Sequence, residues 1–233
     1  MFTKLLKACN AQMPNGHRLN ICLIGDAGTG KSHASEAVAK ALGLGFYFTG
    51  AIDTKYDLIG FADANGRVVR TQFREAWEFG GVFCFDELDG SNPGAVVALN
   101  AALANNRAAF PDMVVERHRD CIIIAGTNTF LNGSTAEFNG RFKQDAAAAD
   151  RYVMMRWDVD EKLELALCPD KSWCKRVQGV RARMKERGVK GHKVTPRASF
   201  YGAALLASGL DMGDVEAMVL RKGMTDDQWT QVC

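Results

Sequence analysis

Gly25-Asp26-Ala27-Gly28-Thr29-Gly30-Lys31-Ser32 fits the pattern G-x-x-x-x-G-K-[ST] at every fixed position. Each residue type has a physical reason. Glycines let the backbone turn tightly enough for successive N–H groups to converge on phosphate oxygens. A helix that begins at the end of the loop adds its unpaired N-terminal N–H groups and the positive end of its dipole. Lys31 is placed to bridge the β- and γ-phosphates of a nucleotide, and the Ser32 hydroxyl to coordinate Mg²⁺. The bland alternative is an accidental glycine-rich turn, and the flanks argue against it. Leu19 to Gly25 is a short apolar run that reads as a buried strand, while Ser32 to Leu42 is alanine-rich and helix-favouring.

Outward from that loop, apolar runs alternate with helical patterns. Gly45 to Gly50, Gly81 to Glu87, Cys121 to Asn128 and Arg151 to Trp157 read as further strands; Thr71 to Phe79 and Pro93 to Asn105 read as helices. Strands separated by helices need crossover connections, so the expected fold class is α/β, a mostly parallel sheet with helices on both faces. Two insertions break the alternation. Asn65-Gly66, within Phe61 to Arg70, signals a two-residue hairpin turn, and Ala108 to Arg119 places Pro111-Asp112 between β-favouring residues. From about Val159 helical stretches dominate (Glu161 to Leu167, Trp173 to Arg187, Pro196 to Ser208 and Val215 to Lys222), which divides the chain into an α/β domain over 1–158 and a small all-helical domain over 159–233.

The third strand ends in two adjacent acids, Asp86 and Glu87. In a doubly wound sheet ligands gather at the carboxyl ends of strands, which places both acids toward the phosphates. Asp86 suits a hydrated Mg²⁺, and Glu87 suits the polarising of a water for in-line attack on the γ-phosphate of ATP. By themselves two acids after an apolar run mark a strand leaving the core; beside a complete phosphate loop they mark hydrolysis. Asn128 closes the fourth strand and can hold the attacking water from the other side with an amide that does not titrate, although asparagine at such a position also serves simply as a turn former.

Composition narrows the rest. The chain has 233 residues, 47% hydrophobic and 24% charged, with a formal net charge of +2. That supports a full core, and the near-neutral charge selects neither nucleic acid nor a membrane surface as a partner. No apolar run reaches the roughly 18 residues of a membrane span, and the N-terminal stretch lacks the apolar core and small-residue cleavage site of a secretory signal. Seven cysteines show no C-x-x-C spacing. Cys22, Cys84 and Cys121 lie in apolar runs as small hydrophobes, and Cys168 and Cys174 lack zinc-ligand spacing, which points to reduced thiols in a cytoplasmic protein.

Taken in order, GDAGTGKS (25–32), VFCFDELD (82–89), AGTNT (125–129), DRY (150–152) and TPRAS (195–199) resemble the MoxR and dynein-related branch of AAA+ ATPases, and within it the ATPase subunits of cobaltochelatases. The likeness runs from Leu19 to Gly209. It implies a P-loop NTPase domain with a helical lid, dependence on ATP and Mg²⁺, and a homo-oligomeric, hexameric ring with shared active sites. In that family an arginine of the neighbouring subunit completes catalysis, and residues 139–152 resemble the segment that carries it. Arg151 matches the arginine of the D-R-F signature, Arg141 is a second candidate, and either could instead make a local salt bridge. Arg197 matches the second sensor, which reaches the γ-phosphate from the lid. The two hairpins fall where this branch carries its helix-2 and pre-sensor-1 insertions. The sequence shows no metal-binding or adhesion-type module after the lid, so the expected object of the work is a separate, unidentified protein client.

Three functions compete: a ring motor that remodels a protein, an ATP-dependent nucleic-acid motor or loader, and an assembly protein that binds ATP and hardly hydrolyses it. Arg181, Arg183, Lys185, Arg187 and Lys190 supply a basic run for the second, without interleaved aromatics for base stacking. Glu87 argues against the third, because a pure switch needs no water-activating acid.

Overall fold

Side chains buried on both faces leave the backbone of an apolar run only a ladder to pair with, and around the glycine-rich loop the runs form one. The computed structural model describes residues 1–131, 133–134, 140–143 and 146–233. Its elements run α1 (Phe2–Asn10), β1 (Asn20–Ile24), α2 (Lys31–Leu42), β2 (Phe46–Thr49), α3 (Tyr56–Ile59), β3 (Phe61–Ala62), β4 (Val68–Val69), α4 (Gln72–Phe79) and β5 (Gly81–Phe85). Next come a 3₁₀ turn (Leu88–Gly90), α5 (Pro93–Asn105), β6 (Arg107–Ala109), β7 (Val114–Glu116), β8 (Cys121–Thr127), α6 (Ala146–Ala149) and β9 (Val153–Arg156). The remainder is helical: α7 (Glu161–Leu167), α8 (Lys171–Arg187), α9 (Pro196–Ala207), α10 (Met212–Glu216), a π turn (Ala217–Arg221) and α11 (Asp226–Val232).

Five strands pair in the order β2-β5-β8-β1-β9, all parallel. Alternation along the strands sorts their side chains into two cores. Phe83, Phe85 and Ile123 join Phe73, Trp77 and Leu99 of α4 and α5. Val82, Ile122 and Ile124 join Leu5 and Val38 of α1 and α2 on the opposite face. The sheet is therefore covered on both sides, and its carboxyl-terminal ends are the place left for polar work. Burial pushes the Cys84 thiol up to about 12 and the Cys22 thiol up to about 11, so both stay protonated small hydrophobes. Six of the cysteines are buried and all seven are free.

Two details differ from expectation. The Asn65-Gly66 hairpin is not a two-residue turn: its loop runs from Asp63 to Arg67, and the Asp63 carboxylate accepts from the N–H groups of Asn65 and Arg67, both at 2.8 Å. An Asx-type contact thus replaces the tight turn. The helix expected over Val215 to Lys222 is split, with α10 giving way to the π turn. The second insertion is a hairpin, β6 against β7, and it is pinned by the buried Arg74, whose guanidinium donates to Asp112 at 2.6 and 2.8 Å and lies over the Phe110 ring. Helices α1, α3 and α11 have no counterpart in the sequence expectations.

The described residues form two compact units, Met1–Asp26 with Gly30–Trp157, and Ala27–Thr29 with Asp158–Cys233. The helical part of the second packs around Trp173, Val177, Val215 and Leu220. Asp170 caps α8 by accepting from the Trp173 N–H, and the Trp173 indole donates to the Ala198 carbonyl. Among the described residues no helix is long and apolar enough to cross a membrane.

Trp173 also explains Gly202, where an added Cβ would lie 2.1 Å from the indole Cε2. The indole is fully buried and has no room to retreat. Gly202→Ala should destabilise the helical unit by about 1–3 kcal/mol, read as a lower urea midpoint by circular dichroism. An unchanged midpoint would mean that α8 and α9 pack more loosely than this.

Candidate active site

Gly25 to Ser32 joins β1 to α2, with Gly28 and Gly30 at φ of 78° and 85°, where a side chain would be strained. The loop is tied to the sheet at its start, since the Gly25 N–H donates to the Thr127 carbonyl at the end of β8. Lys31 opens α2 and is 7% exposed. Its ammonium donates to the carbonyls of Gly25 (2.6 Å) and Asp26 (3.0 Å) and to Asn128 Oδ1 (2.9 Å). Burial holds the Lys31 pKa below its ordinary 10.5, and the carboxylates of Asp86, Asp89, Asp26 and Glu87 partly restore it.

Ser32 donates to Asp86 Oδ2 at 2.5 Å. The Asp86 backbone is held by its N–H to the Thr49 carbonyl at the end of β2. Gly126, on neighbouring β8, makes room for the carboxylate, because a Cβ there would come within 2.7 Å of Asp86 Oδ1. Glu87 comes next, in the left-handed region at φ 55° and ψ 40°, which is uncommon for a residue with a side chain. That conformation turns the chain out of the strand, and its N–H donates back to Asp86 Oδ1. The Glu87 side chain is 53% exposed, open to a water.

Asp89 was not among the residues singled out by sequence. It is fully buried, and its Oδ2 accepts from the N–H groups of Asn128 and Thr129 at 3.0 Å and from the Thr129 hydroxyl at 2.9 Å. Its Oδ1 faces the Arg141 guanidinium at 3.3 Å, and the same guanidinium lies 3.5 Å from Glu87 Oε2. The third acid of D-E-L-D was the available signal; nothing in a residue type announces burial.

The structure thus brings Lys31, Ser32, Asp86, Glu87, Asn128 and Arg141 together. Arg151 is not brought to the loop: its guanidinium donates to the Ala147 carbonyl, and its own carbonyl accepts from Asn20 at the amino-terminal end of β1. Arg197 stands exposed in the first turn of α9, in the second unit. Asn139, Gln144 and Asp145 of the segment expected to carry the trans-acting arginine lie outside the described residues.

The family described as AAA domain (dynein-related subfamily) matches residues 20–144. Among solved structures the fold is similar to RuvB of Thermotoga maritima, described as a Holliday junction branch migration motor. That match has a TM-score of 0.56 and 15% identity, covering 97% of this chain and 70% of that one. NtrX of Brucella abortus aligns with a TM-score of 0.55 and 18% identity over 95% of this chain and 50% of its own. A putative ATPase of Cytophaga hutchinsonii aligns with a TM-score of 0.52 and 18% identity over 88% and 57%. At such identities these likenesses concern the fold alone. No curated protein sequence matches the chain.

A phosphate anion beside Lys31 favours its charged form and so raises the depressed pKa. Nucleotide binding in the window between the free and bound pKa should therefore take up a proton, and affinity should fall as pH rises through the free value. Calorimetry in alkaline buffers of differing ionisation heat reads that uptake; zero net uptake would place Lys31 away from the anion.

Proposed function

Because the chain belongs to the dynein-related subfamily of AAA domains, we propose that it is an ATP-hydrolysing motor that works as a homo-oligomeric ring on a separate protein client. The contact that carries the proposal is Ser32 Oγ against Asp86 Oδ2 at 2.5 Å, which joins the phosphate loop to the acidic strand end. A hydroxyl and a carboxylate facing one another, with Gly126 leaving them space, fit Mg²⁺, and this ion when bound would neutralise charge developing on the phosphate oxygens. Lys31, released from the loop carbonyls, then bridges the β- and γ-phosphates. Glu87 accepts the proton of the attacking water, and Asn128 orients that water from the neighbouring strand end. Arg151 acts from the adjacent subunit, and Arg197 from the helical unit of the same chain.

Kinship with the cobaltochelatase ATPase subunits, a hexameric ring and a cytoplasmic setting belong to the same proposal and rest on the ordered motifs. The nucleic-acid alternative is weakened by where the basic residues of α8 go. Arg181 is paired with Glu164 and Glu161, Arg176 with Glu216, and Arg183 donates to the Val232 carbonyl. Two of the five residues of that run, Arg181 and Arg183, are thus spent inside the helical unit, while Lys185, Arg187 and Lys190 stay exposed, so the run offers a phosphate backbone only part of its charge.

Lys31→Ala should abolish ATP binding. Glu87→Gln should bind ATP but lose about 10²-fold or more in phosphate release. Arg151→Ala should do the same alone, and mixing it with Glu87→Gln chains should restore part of the activity at interfaces where both intact groups meet. A slow wild type whose turnover Glu87→Gln leaves unchanged would sink the hydrolytic proposal in favour of an assembly protein.

A further inference from the structure

Arg141 and Arg151 are candidates for one role, and their surroundings separate them. The Arg141 guanidinium lies within its own chain, between Glu87 Oε2 and Asp89 Oδ1, with its side chain 14% exposed. Its backbone is held as well: the Arg141 N–H donates to Ser134 Oγ at 3.1 Å, and that hydroxyl donates to the Arg141 carbonyl at 2.9 Å. The Phe142 N–H next along donates to the Asp89 carbonyl. Space has been left for the guanidinium at Gly90, where a Cβ would lie 2.6 Å from Nη1. Gly90 is not in the left-handed region, so its conformation does not call for glycine; a Cβ there would clash only with the end of the Arg141 side chain, which would have to shift off Glu87 and Asp89 to admit it. Drawing Arg141 away toward another subunit would strip Asp89 Oδ1 of its counter-cation in a position without solvent.

We propose that Arg141 works in cis, as a positioning residue that holds Glu87 against the buried Asp89, and that a bound triphosphate is reported to this pair through Lys31 and Asn128. The inference rests on the proposed ATPase activity. The contacts form a circuit. Lys31 donates to Asn128, the Asn128 N–H donates to Asp89, Asp89 faces Arg141, and Arg141 reaches Glu87. From Glu87 the backbone N–H returns to Asp86, which accepts from Ser32, the residue after Lys31. A γ-phosphate that takes over the Lys31 ammonium removes the donor from Asn128 Oδ1, and the amide is then free to turn toward water. Asp89, shared between that strand end and Arg141, couples the change to the Glu87 carboxylate.

Two variants test the coupling by different routes. Arg141→Gln keeps a donor amide but removes the charge. Gly90→Ala keeps the charge and pushes the guanidinium aside. Both should bind ATP, with kcat lowered about tenfold or more and KM little changed. Mixing either with Glu87→Gln chains should restore nothing, because both lesions then fall in the same half-site, whereas Arg151→Ala with Glu87→Gln recovers. Recovery of Arg141→Gln on mixing, or unchanged kcat in both variants, overturns the inference. If Arg141→Gln fails to fold, Gly90→Ala decides. If the wild type binds ATP without turnover, the ATPase proposal has failed and the circuit is judged on binding. The ratio of ATP to ADP dissociation constants should then shift by about fivefold or more in both variants, and an unmoved ratio overturns it.

Discussion

The central strands β1, β5 and β8 of the parallel sheet are buried on both faces, while the edge strands β2 and β9 are partly open, so in the middle of the sheet charge has nowhere to go except the strand ends. Parallel pairing sets every carboxyl terminus on one side, and the register makes the arrangement specific: Phe85 of β5 sits beside Ala125 of β8, and Ile24 of β1 beside Thr127. The residues just beyond, Asp86, Asn128 and Gly25, are therefore neighbours although far apart in sequence. Backbone bonds from Gly25 to the Thr127 carbonyl and from Asp86 to the Thr49 carbonyl extend the ladder one step beyond the strands. Polar chemistry thus begins where the apolar ladder can no longer continue.

That placement creates an electrostatic problem. Asp86, Glu87 and Asp89 crowd into four residues, and a fully buried carboxylate such as Asp89 persists only with donors around it. Three of its donors come from the end of β8 and one from Arg141. The requirement to satisfy Asp89 fixes the turn after β8, and with it the direction from which Asn128 meets Lys31. Glu87, held in the left-handed region at the exit of β5, carries that uncommon backbone conformation at the position proposed to activate water.

The sequence made the sheet legible because continuous apolar runs have one common solution, and the phosphate loop legible because every fixed position has its own chemical reason. Strand ends came directly from those runs, and so did Asp86, Glu87 and Asn128. Asp89 was hidden because its part depends on burial, which Leu88 and Gly90 on either side do not reveal. The D-R-F likeness put Arg151 ahead of Arg141 without deciding between them, the two being the same residue type ten positions apart in one segment; what the structure adds is the partners of each guanidinium. Helix α1 was missed although Phe2, Leu5, Leu6 and Cys9 fall at the i, i+3, i+4 and i+7 spacing of an amphipathic helix, with Leu5 and Cys9 buried. The Asp63 to Arg67 loop was misjudged because Asn65-Gly66 favours a tight turn locally, whereas the Asp63 carboxylate can bond two later amides and does.

Glycine has two meanings in this site. Gly28 and Gly30 supply positive φ to a loop that must curl its amides inward. Gly126 and Gly90 need no such freedom; each keeps a pocket the width of one methyl group for a charged atom, Asp86 Oδ1 in one case and Arg141 Nη1 in the other. The first kind of glycine would be required around any phosphate. The second kind is tied to particular side chains, so it records which charges the fold was shaped to hold. Within the chain itself the Arg141 guanidinium lies against Gly90 and between the carboxylates of Glu87 and Asp89, and that arrangement is the ground on which the cis proposal for Arg141 stands.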